Sequence, residues 1–197
     1  MIVKPINWNE VKEPSDRPKL PVGAYVCRVK KVAVQMTDWG EQLCILFDIL
    51  EGEFKDYFNK EFSDSTLQDK KWKGILRQWL PKNDGSEKDE WTKSSLKGLT
   101  TSFEKSNPGY QWNWDEQSMV GKTIGILFRN EEWEYNGKTG WAVRPFIAIS
   151  ADKARSGDFT LPKDKPLKKD SSYSAPVASD SYSNGFTDIS DDDIPFI

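Results

Sequence analysis

The chain has 197 residues with 28 Lys and Arg against 31 Asp and Glu, so its formal net charge is −3. At roughly 150 residues per domain, this length predicts one folded domain with some additional chain. The mean hydropathy is −0.70, no apolar run approaches the ~20 residues of a membrane span, and the first residues lack the pattern of a secretory signal. We therefore expect a soluble, intracellular protein.

The sequence contains no histidine, which removes the commonest general base and the commonest zinc ligand. Most hydrolase mechanisms are therefore disfavoured, and we expect a protein that is not an enzyme and has no cofactor or metal. The two cysteines, Cys27 and Cys44, lie in apolar runs, where a buried reduced thiol is expected. Aromatic residues are instead abundant, with nine Trp, ten Phe and six Tyr.

Three strands are predicted in the first third of the chain. Residues 1–20 contain three prolines and are expected to form an extended N-terminal arm. Residues 23–35 and 42–50 are rich in β-branched and aromatic side chains, which predicts two strands; the second is apolar on both faces, as in a central strand. A third strand is predicted around residues 57–63, after the turn at Gly52.

Two helices are predicted in the middle of the chain. In residues 66–80 apolar and aromatic side chains recur at intervals of four up to Trp79, and Pro81 follows as a stop signal. A second, short helix is predicted within residues 91–109. Its apolar side chains are three and four residues apart up to Phe103, and an Asn-Pro-Gly sequence ends it.

The last two strands are predicted over residues 122–135 and 138–150. Asn136–Gly137 joins them, and an Asn-Gly pair between alternating runs is the strongest short-range hairpin signal. The element order favours a mainly β domain, a five-stranded OB-fold (Greek-key) barrel with one or two helices between strands 3 and 4, whose surface binds oligonucleotides. An open α+β sheet is the alternative.

The predicted hairpin has two chemically different faces. A two-residue turn places Trp133 opposite Gly140 and Arg129 opposite Arg144. Alternation then assigns a core face, consisting of Ile126, Phe128, Trp141, Val143 and Ile147. The opposite face interleaves cations with aromatic rings: Arg129, Trp133, Tyr135, Lys138, Arg144 and Phe146.

Two directly opposed arginines repel each other unless an anion lies between them. A nucleic-acid backbone would supply that anion while bases stack on Trp133 and Tyr135. The alternative is that these rings only cover the hairpin and that the arginines pair with Glu131 and other surface acids. A β-bulge would also move residues between the two faces.

Other cationic and aromatic residues complete the predicted nucleic-acid-binding set. They are Arg28, Lys30 and Lys31 on the first strand, Trp39 in the following turn, Phe58 and Lys60 on the third strand, and Trp72 in the first helix. For Phe58 core packing is an equal alternative to base stacking. For Trp72 the alternative is a packing stripe of its helix.

The charge is divided unequally along the chain. From Asp170 onward there are six acidic residues and neither Lys nor Arg, so residues 1–169 carry a net +3. The acidic end is Ser-rich and too polar to form a core, which predicts disorder. We therefore divide the chain into an arm (1–20), a binding domain (21–162) and a disordered linker with an acidic tail (163–197).

The chain ends in a short acidic and apolar tip, made of Asp191, Asp192, Asp193, Ile194, Pro195, Phe196 and Ile197. This tip resembles the acidic C-terminal tip of bacterial single-stranded DNA-binding proteins. The resemblance implies a partner-binding peptide, in which carboxylates steer the tip to a basic surface and apolar side chains fill a pocket. In those proteins Phe is the last residue, whereas here Ile197 follows and displaces the terminal carboxylate by one position.

Residues 1–169, which we call the body, resemble a family of bacteriophage and prophage proteins that are thought to be replication-associated single-stranded DNA-binding proteins. Residues 20–32, 49–58 and 103–137 carry the resemblance, which covers most of residues 20–160. It implies an OB-fold domain that coats and protects single-stranded DNA during phage DNA replication or recombination in the cytoplasm of the infected bacterial host. We expect a monomer or homodimer whose tip recruits replication or recombination proteins of phage or host.

Two other functions remain open from the sequence. One is a protein-interaction adaptor of the replication machinery, whose sheet binds protein instead of DNA. The other is a metal-dependent nuclease with carboxylate ligands drawn from Asp48, Glu51, Glu53 and Asp56. Because the chain lacks His and a Lys-bearing nuclease motif, we interpret these four as turn and surface acids.

Overall fold

A computed structural model describes residues 2–10, 18–65 and 69–167. Within these ranges the fold is mainly β, with five strands, three α-helices and two short 3-10 helices (Trp8–Glu10 and Glu116–Met119). The strands are β1 (Gly23–Thr37), β2 (Gly40–Ile49), β3 (Ile75–Trp79), β4 (Thr123–Tyr135) and β5 (Lys138–Ile149). The helices are α1 (Tyr57–Asp64), α2 (Glu87–Ser106) and α3 (Ala151–Ser156). None of these helices is both long and apolar enough to cross a membrane.

The five strands form one antiparallel sheet in the order β3-β2-β1-β4-β5. The edges of a flat five-stranded sheet would lie ~19 Å apart. Here the Cα atoms of β3 and β5 come within 8 Å of each other, although no hydrogen-bonded ladder joins them. The sheet is therefore strongly curved but not closed, so the prediction of a mainly β, five-stranded domain is confirmed at that level.

An aromatic cluster fills the core inside the curved sheet. Phe47 of β2 and Phe128 of β4 are fully buried, and Phe58 of α1 packs against both, at ring-centroid distances of 5.5 and 6.3 Å. Leu99 and Phe103 of α2 pack against the same cluster. Helix α2 thus covers one side of the core.

The predicted third strand at residues 57–63 is wrong, because this segment is helix α1. Its first turn is fixed from outside: the Asp48 carboxylate on β2 accepts hydrogen bonds from the backbone N–H groups of Phe58 and Asn59, at 3.0 and 3.1 Å. These groups are among the N–H donors that a helix leaves unpaired at its start. A carboxylate ten residues earlier in the chain therefore fixes where this helix begins.

The predicted helix over residues 66–80 is also wrong, because its last part is strand β3. Ile75–Trp79 pairs with β2 through the register Leu46↔Ile75 and Gln42↔Trp79. The preceding Gly74 allows the close approach, since a Cβ there would lie 2.5 Å from the carbonyl oxygen of Phe47. A spacing of four residues fits a strand of period two as well as a helix, which explains the incorrect prediction.

The second predicted helix is confirmed as α2. The Ser86 side chain caps its start by accepting from the N–H of Asp89, and Asn107 follows its end. The Asn107 side-chain amide donates to the carbonyls of Phe103 and Thr123, and its oxygen accepts from the N–H of Thr123. This one side chain therefore joins the end of α2 to the start of β4. Helix α3, which follows β5, was not predicted.

The hairpin of β4 and β5 has the predicted register, with Trp133 opposite Gly140 and Arg129 opposite Arg144. Asn136 and Gly137 both have positive φ, as the predicted turn requires. A bulge at Phe146 lies between the pairs Phe128↔Pro145 and Leu127↔Ile147. It turns Ile147 away from the core face, so the predicted core position of Ile147 is wrong.

The two cysteines are buried and free, as predicted. Cys27 packs in the main core, and burial raises the pKa of its thiol well above the ordinary value. Cys44 lies in a small second cluster with Leu46 and Ile75. Burial raises the pKa of this thiol too, although the charge of Arg77 opposes the shift.

Residues 163–167, which the sequence analysis assigned to the disordered tail, lie against β4. The Lys165 N–H donates to the carbonyl of Asn130, and the N–H of Glu132 donates to the carbonyl of Lys165, both at 2.9 Å. The Leu167 N–H also donates to the Glu132 carboxylate at 3.0 Å. We call residues 163–167 the strap; it packs on the sheet and is not a free linker.

Candidate functional site

A groove of about 1340 Å³ opens between the two unjoined edges of the sheet. β3 forms one wall and residues 141–148 of β5 form the other. Trp91, Ser94, Ser95 and Gly98 line it along one side of α2, and residues 163–166 of the strap also border it. The groove therefore exists because the sheet curves without closing.

The lining of the groove is rich in cations. Seven basic residues line it against three carboxylates: Lys19, Lys73, Arg77, Arg129, Arg144, Lys163 and Lys165 against Glu61, Glu131 and Asp164. Residues 1–169 as a whole carry only a net +3, so the groove concentrates the positive charge of the body. A cleft of one charge sign attracts ligands of the opposite sign.

Aromatic rings also line the groove. They are Tyr57, Phe58, Trp79, Trp91, Trp141 and Phe146. Trp91 and Trp141 are 46% and 50% exposed, so their rings are accessible to a ligand. Sequence reasoning placed Trp79 in a helical packing stripe and Trp141 on the core face, and it missed Trp91. The small side chains at positions 94, 95 and 98, on the side of α2 that carries Trp91, were the available signal.

Arg129 is held on the rim of the groove by two neighbours. Its Nε and Nη2 donate to Oε1 of Glu131 at 2.9 and 2.8 Å. Its guanidinium lies 3.9 Å from the centroid of the Phe146 ring, a cation–π contact. The alternative of an Arg–Glu131 ion pair is thus confirmed for Arg129, and Glu131 offsets the repulsion between Arg129 and Arg144.

The hairpin tip extends this surface beyond the groove. Trp133, Tyr135 and Lys138 share the face of Arg129 and Arg144, because they are separated by even intervals along paired strands. Trp133 is 37% exposed, and Tyr135 and Lys138 are exposed. The structure therefore brings six of the predicted residues onto one cationic and aromatic surface, with Arg129, Arg144 and Phe146 lining the groove and the other three at the tip.

The predicted β1 residues lie elsewhere. Arg28 is exposed and pairs in register with Asp48 and Thr123 of the neighbouring strands. Lys30 and Lys31 are exposed at the irregularity in β1, and Trp39 is exposed in the turn between β1 and β2. None of these four residues lines the groove described above.

The remaining three predicted residues have other contacts. Phe58 is 6% exposed and reaches the groove only as part of the core. The Trp72 indole N–H donates to the carbonyls of Phe47 and Gly74, and its ring packs on the second apolar cluster. Lys60 is exposed on α1 and donates to the carbonyl of Lys55. We therefore assign Phe58 and Trp72 to packing.

The acids considered as metal ligands are used differently. Asp48 is buried and caps α1; burial raises the pKa of its carboxyl, while hydrogen bonds from backbone N–H groups and the charge of Lys30 oppose the shift. Glu51 accepts from Arg155 at 2.8 Å, and Asp56 precedes α1 in a left-handed conformation. Across the described residues, no three Cys, Asp or Glu side chains are grouped to hold a metal ion.

The acidic tip, residues 191–197, lies outside the described residues. The chain matches no protein-family model and no curated protein.

Proposed function

We propose that this chain is a non-catalytic single-stranded DNA-binding protein that holds the strand in the groove between β3 and β5. The observation that carries the proposal is the lining of this groove, where seven cations lie together with five aromatic rings besides the core residue Phe58. Cations that follow a backbone and rings on which bases stack are the two components of sequence-independent single-strand binding.

We further propose that the domain is an OB fold. The strand order leaves β3 and β5 as neighbouring edges, so a ladder between them would close the sheet into a five-stranded ring. Helix α2 lies between β3 and β4 in the chain. Both features agree with an OB fold, which is a five-stranded and partly open barrel.

The composition of the groove favours single strands over duplexes. A stacked base contributes ~1–3 kcal/mol only when it is unpaired and its face is free. Trp91 and Trp141 in the groove, and Trp133 and Tyr135 at the hairpin tip, are partly exposed aromatic rings of the kind on which unpaired bases stack. We therefore expect the strand to leave the groove across the hairpin face, towards the tip.

The acidic tail has a separate role in this proposal. Six carboxylates and no cation follow residue 169, which makes the tail repel DNA. We propose that the tip recruits replication or recombination proteins of phage or host, because clustered acids steer an apolar peptide to a basic pocket. Coating and recruitment would then belong to different parts of one chain.

Titration of the protein with dT oligomers at low salt tests the proposal. We expect strong quenching of the fluorescence of the nine Trp. We also expect the logarithm of the association constant to fall, for each tenfold rise in salt, by about 0.7 for every phosphate that the protein neutralises. A duplex of the same length is the control and should bind more weakly. Absence of binding to dT at low salt would overturn the proposal.

A further inference from the structure

The Glu131 carboxylate occupies a central place on the rim of the groove. Its Oε1 accepts two hydrogen bonds from the Arg129 guanidinium, at 2.8 and 2.9 Å. Its Oε2 lies 3.8 Å from Nζ of Lys165, which belongs to the strap. The Glu131 side chain is 15% exposed, so one carboxylate links β4 to the strap at the margin of the groove.

This arrangement has the chemistry of a phosphate site. An arginine fork that donates to one oxygen, with an ammonium near the other, is an arrangement that a backbone phosphate also accepts. Lys163 and Lys165 line the same groove as Arg129. A strand that follows the groove therefore brings phosphates to cations that Glu131 already neutralises.

The strap is held mainly by its backbone. Lys165 exchanges two backbone hydrogen bonds with Asn130 and Glu132 of β4, and Asn130 donates from its side chain to Asp164 at 3.1 Å. These bonds do not involve the Glu131 carboxylate. Glu131 is thus able to leave Arg129 and Lys165 without releasing the strap.

We propose that Glu131 holds the place of a DNA phosphate: a bound strand displaces its carboxylate, and Arg129 and Lys165 then bind that phosphate together. The inference rests on the proposed function and adds to it a strap residue, Lys165, as part of the binding site. It also makes Glu131 a residue that limits affinity, because its contacts with both cations are lost when DNA binds.

The test compares E131Q with E134Q in the full-length chain, with a dT oligomer as the probe. Glu134 is exposed on the opposite face of the same strand. E134Q therefore removes one negative charge near the site but leaves the contacts of Glu131 with Arg129 and Lys165 unchanged. We expect E131Q to bind dT about tenfold more tightly than the wild type, since hydrogen bonds to a charged group no longer have to be broken. The slope of the salt dependence should be the same for E131Q and the wild type, because Arg129 and Lys165 bind the same phosphate in both.

A second pair of variants tests the strap. K165A should weaken dT binding several-fold, whereas K153A, which removes an exposed lysine of α3, should not. Near-UV circular dichroism verifies the fold of each variant. If E131Q does not fold, the comparison of K165A with K153A tests the proposal.

Three outcomes overturn the inference. The first is an affinity of E131Q no higher than that of E134Q while the wild type binds dT; in that case the proposed function still stands. The second is a K165A variant that binds as tightly as the wild type. The third is a wild-type protein with no affinity for dT at low salt, which removes the proposed function and this inference together.

Discussion

The indole of Trp133 covers Gly140 on the neighbouring strand, so closely that a Cβ at position 140 would come 2.7 Å from Cζ2 of the ring. The two residues are direct cross-strand partners near the hairpin tip. An aromatic ring that packs over a glycine keeps one orientation, which is what a base-stacking platform requires. Gly140 therefore positions Trp133 by having no side chain.

Gly140→Ala should displace the Trp133 ring and weaken dT binding almost as much as Trp133→Ala. The expected loss is about 1 kcal/mol, the lower end of one stacked base. Gly23→Ala is the matched control, because a Cβ there meets nothing within 4 Å. Titration of the three variants with dT measures the effect. An unchanged affinity of Gly140→Ala would mean that the position of the Trp133 ring does not matter for DNA binding.

Trp91→Ala and Trp141→Ala should each weaken dT binding by ~1–3 kcal/mol, since both rings line the groove and are about half exposed. The loss should be similar for oligomers of different sequence, because stacking needs no particular base. Trp114→Ala serves as the control: Trp114 is exposed but lies outside the groove lining. Equal effects of all three changes would place the strand somewhere other than the groove.

The hairpin was predictable from sequence because its determinants are local. Asn136–Gly137 specifies the turn, and the turn specifies the register out to Arg129 and Arg144. The sequence did not locate the bulge at Phe146, because the neighbouring Pro145 is compatible with a bulge and equally with an edge strand. That one insertion changed the face of Ile147.

Helix α1 and strand β3 were not predictable because their formation depends on distant partners. α1 begins where the Asp48 carboxylate caps it, and β3 forms where β2 offers an edge. The intervals of four residues that suggested a helix ending at Trp79 are equally compatible with a strand. Local spacing could not distinguish them.

The groove could not be predicted from the sequence for a similar reason. Its cations and rings come from β3, α2, β5 and the strap, segments separated by tens of residues. Chain order does not reveal that Trp91 and Trp141 border one cavity. Only the residue types, cationic and aromatic, were visible in advance.

Asp48→Asn should destabilise the fold by ~1–3 kcal/mol, because an amide cannot accept from all three backbone N–H groups that the carboxylate binds. The effect should depend on pH. The folded protein raises the pKa of Asp48 above its ordinary value of 3.8, so the folded state binds the proton more tightly than the unfolded state.

The stability that this shift contributes is present below the unfolded pKa and is lost as the pH rises through the folded one. The advantage of the wild type over Asp48→Asn should therefore be larger at pH 3.5 than at pH 7. Urea unfolding of both proteins at the two pH values measures it. For Asp89→Asn the advantage of the wild type should instead be smaller at pH 3.5 than at pH 7. The hydrogen bond from Lys93, and those from the N–H groups of Asn83 and Lys82, lower the pKa of Asp89. A difference independent of pH would contradict the assigned direction for Asp48.

Two truncations should separate the tail from the strap. A chain ending at residue 169 retains the strap and loses all six tail carboxylates, so we expect dT binding that is unchanged or tighter, together with loss of partner recruitment.

A chain ending at residue 162 also loses Lys163, Lys165 and the backbone bonds to Asn130 and Glu132. It should bind dT more weakly than the longer truncation and show less protection of β4 amides in hydrogen exchange, because the Glu132 N–H loses its partner. Equal affinities of the two truncations would limit the binding site to residues 1–162. Weaker binding by the chain ending at residue 169 than by the full chain would instead give the tail a direct part in DNA binding.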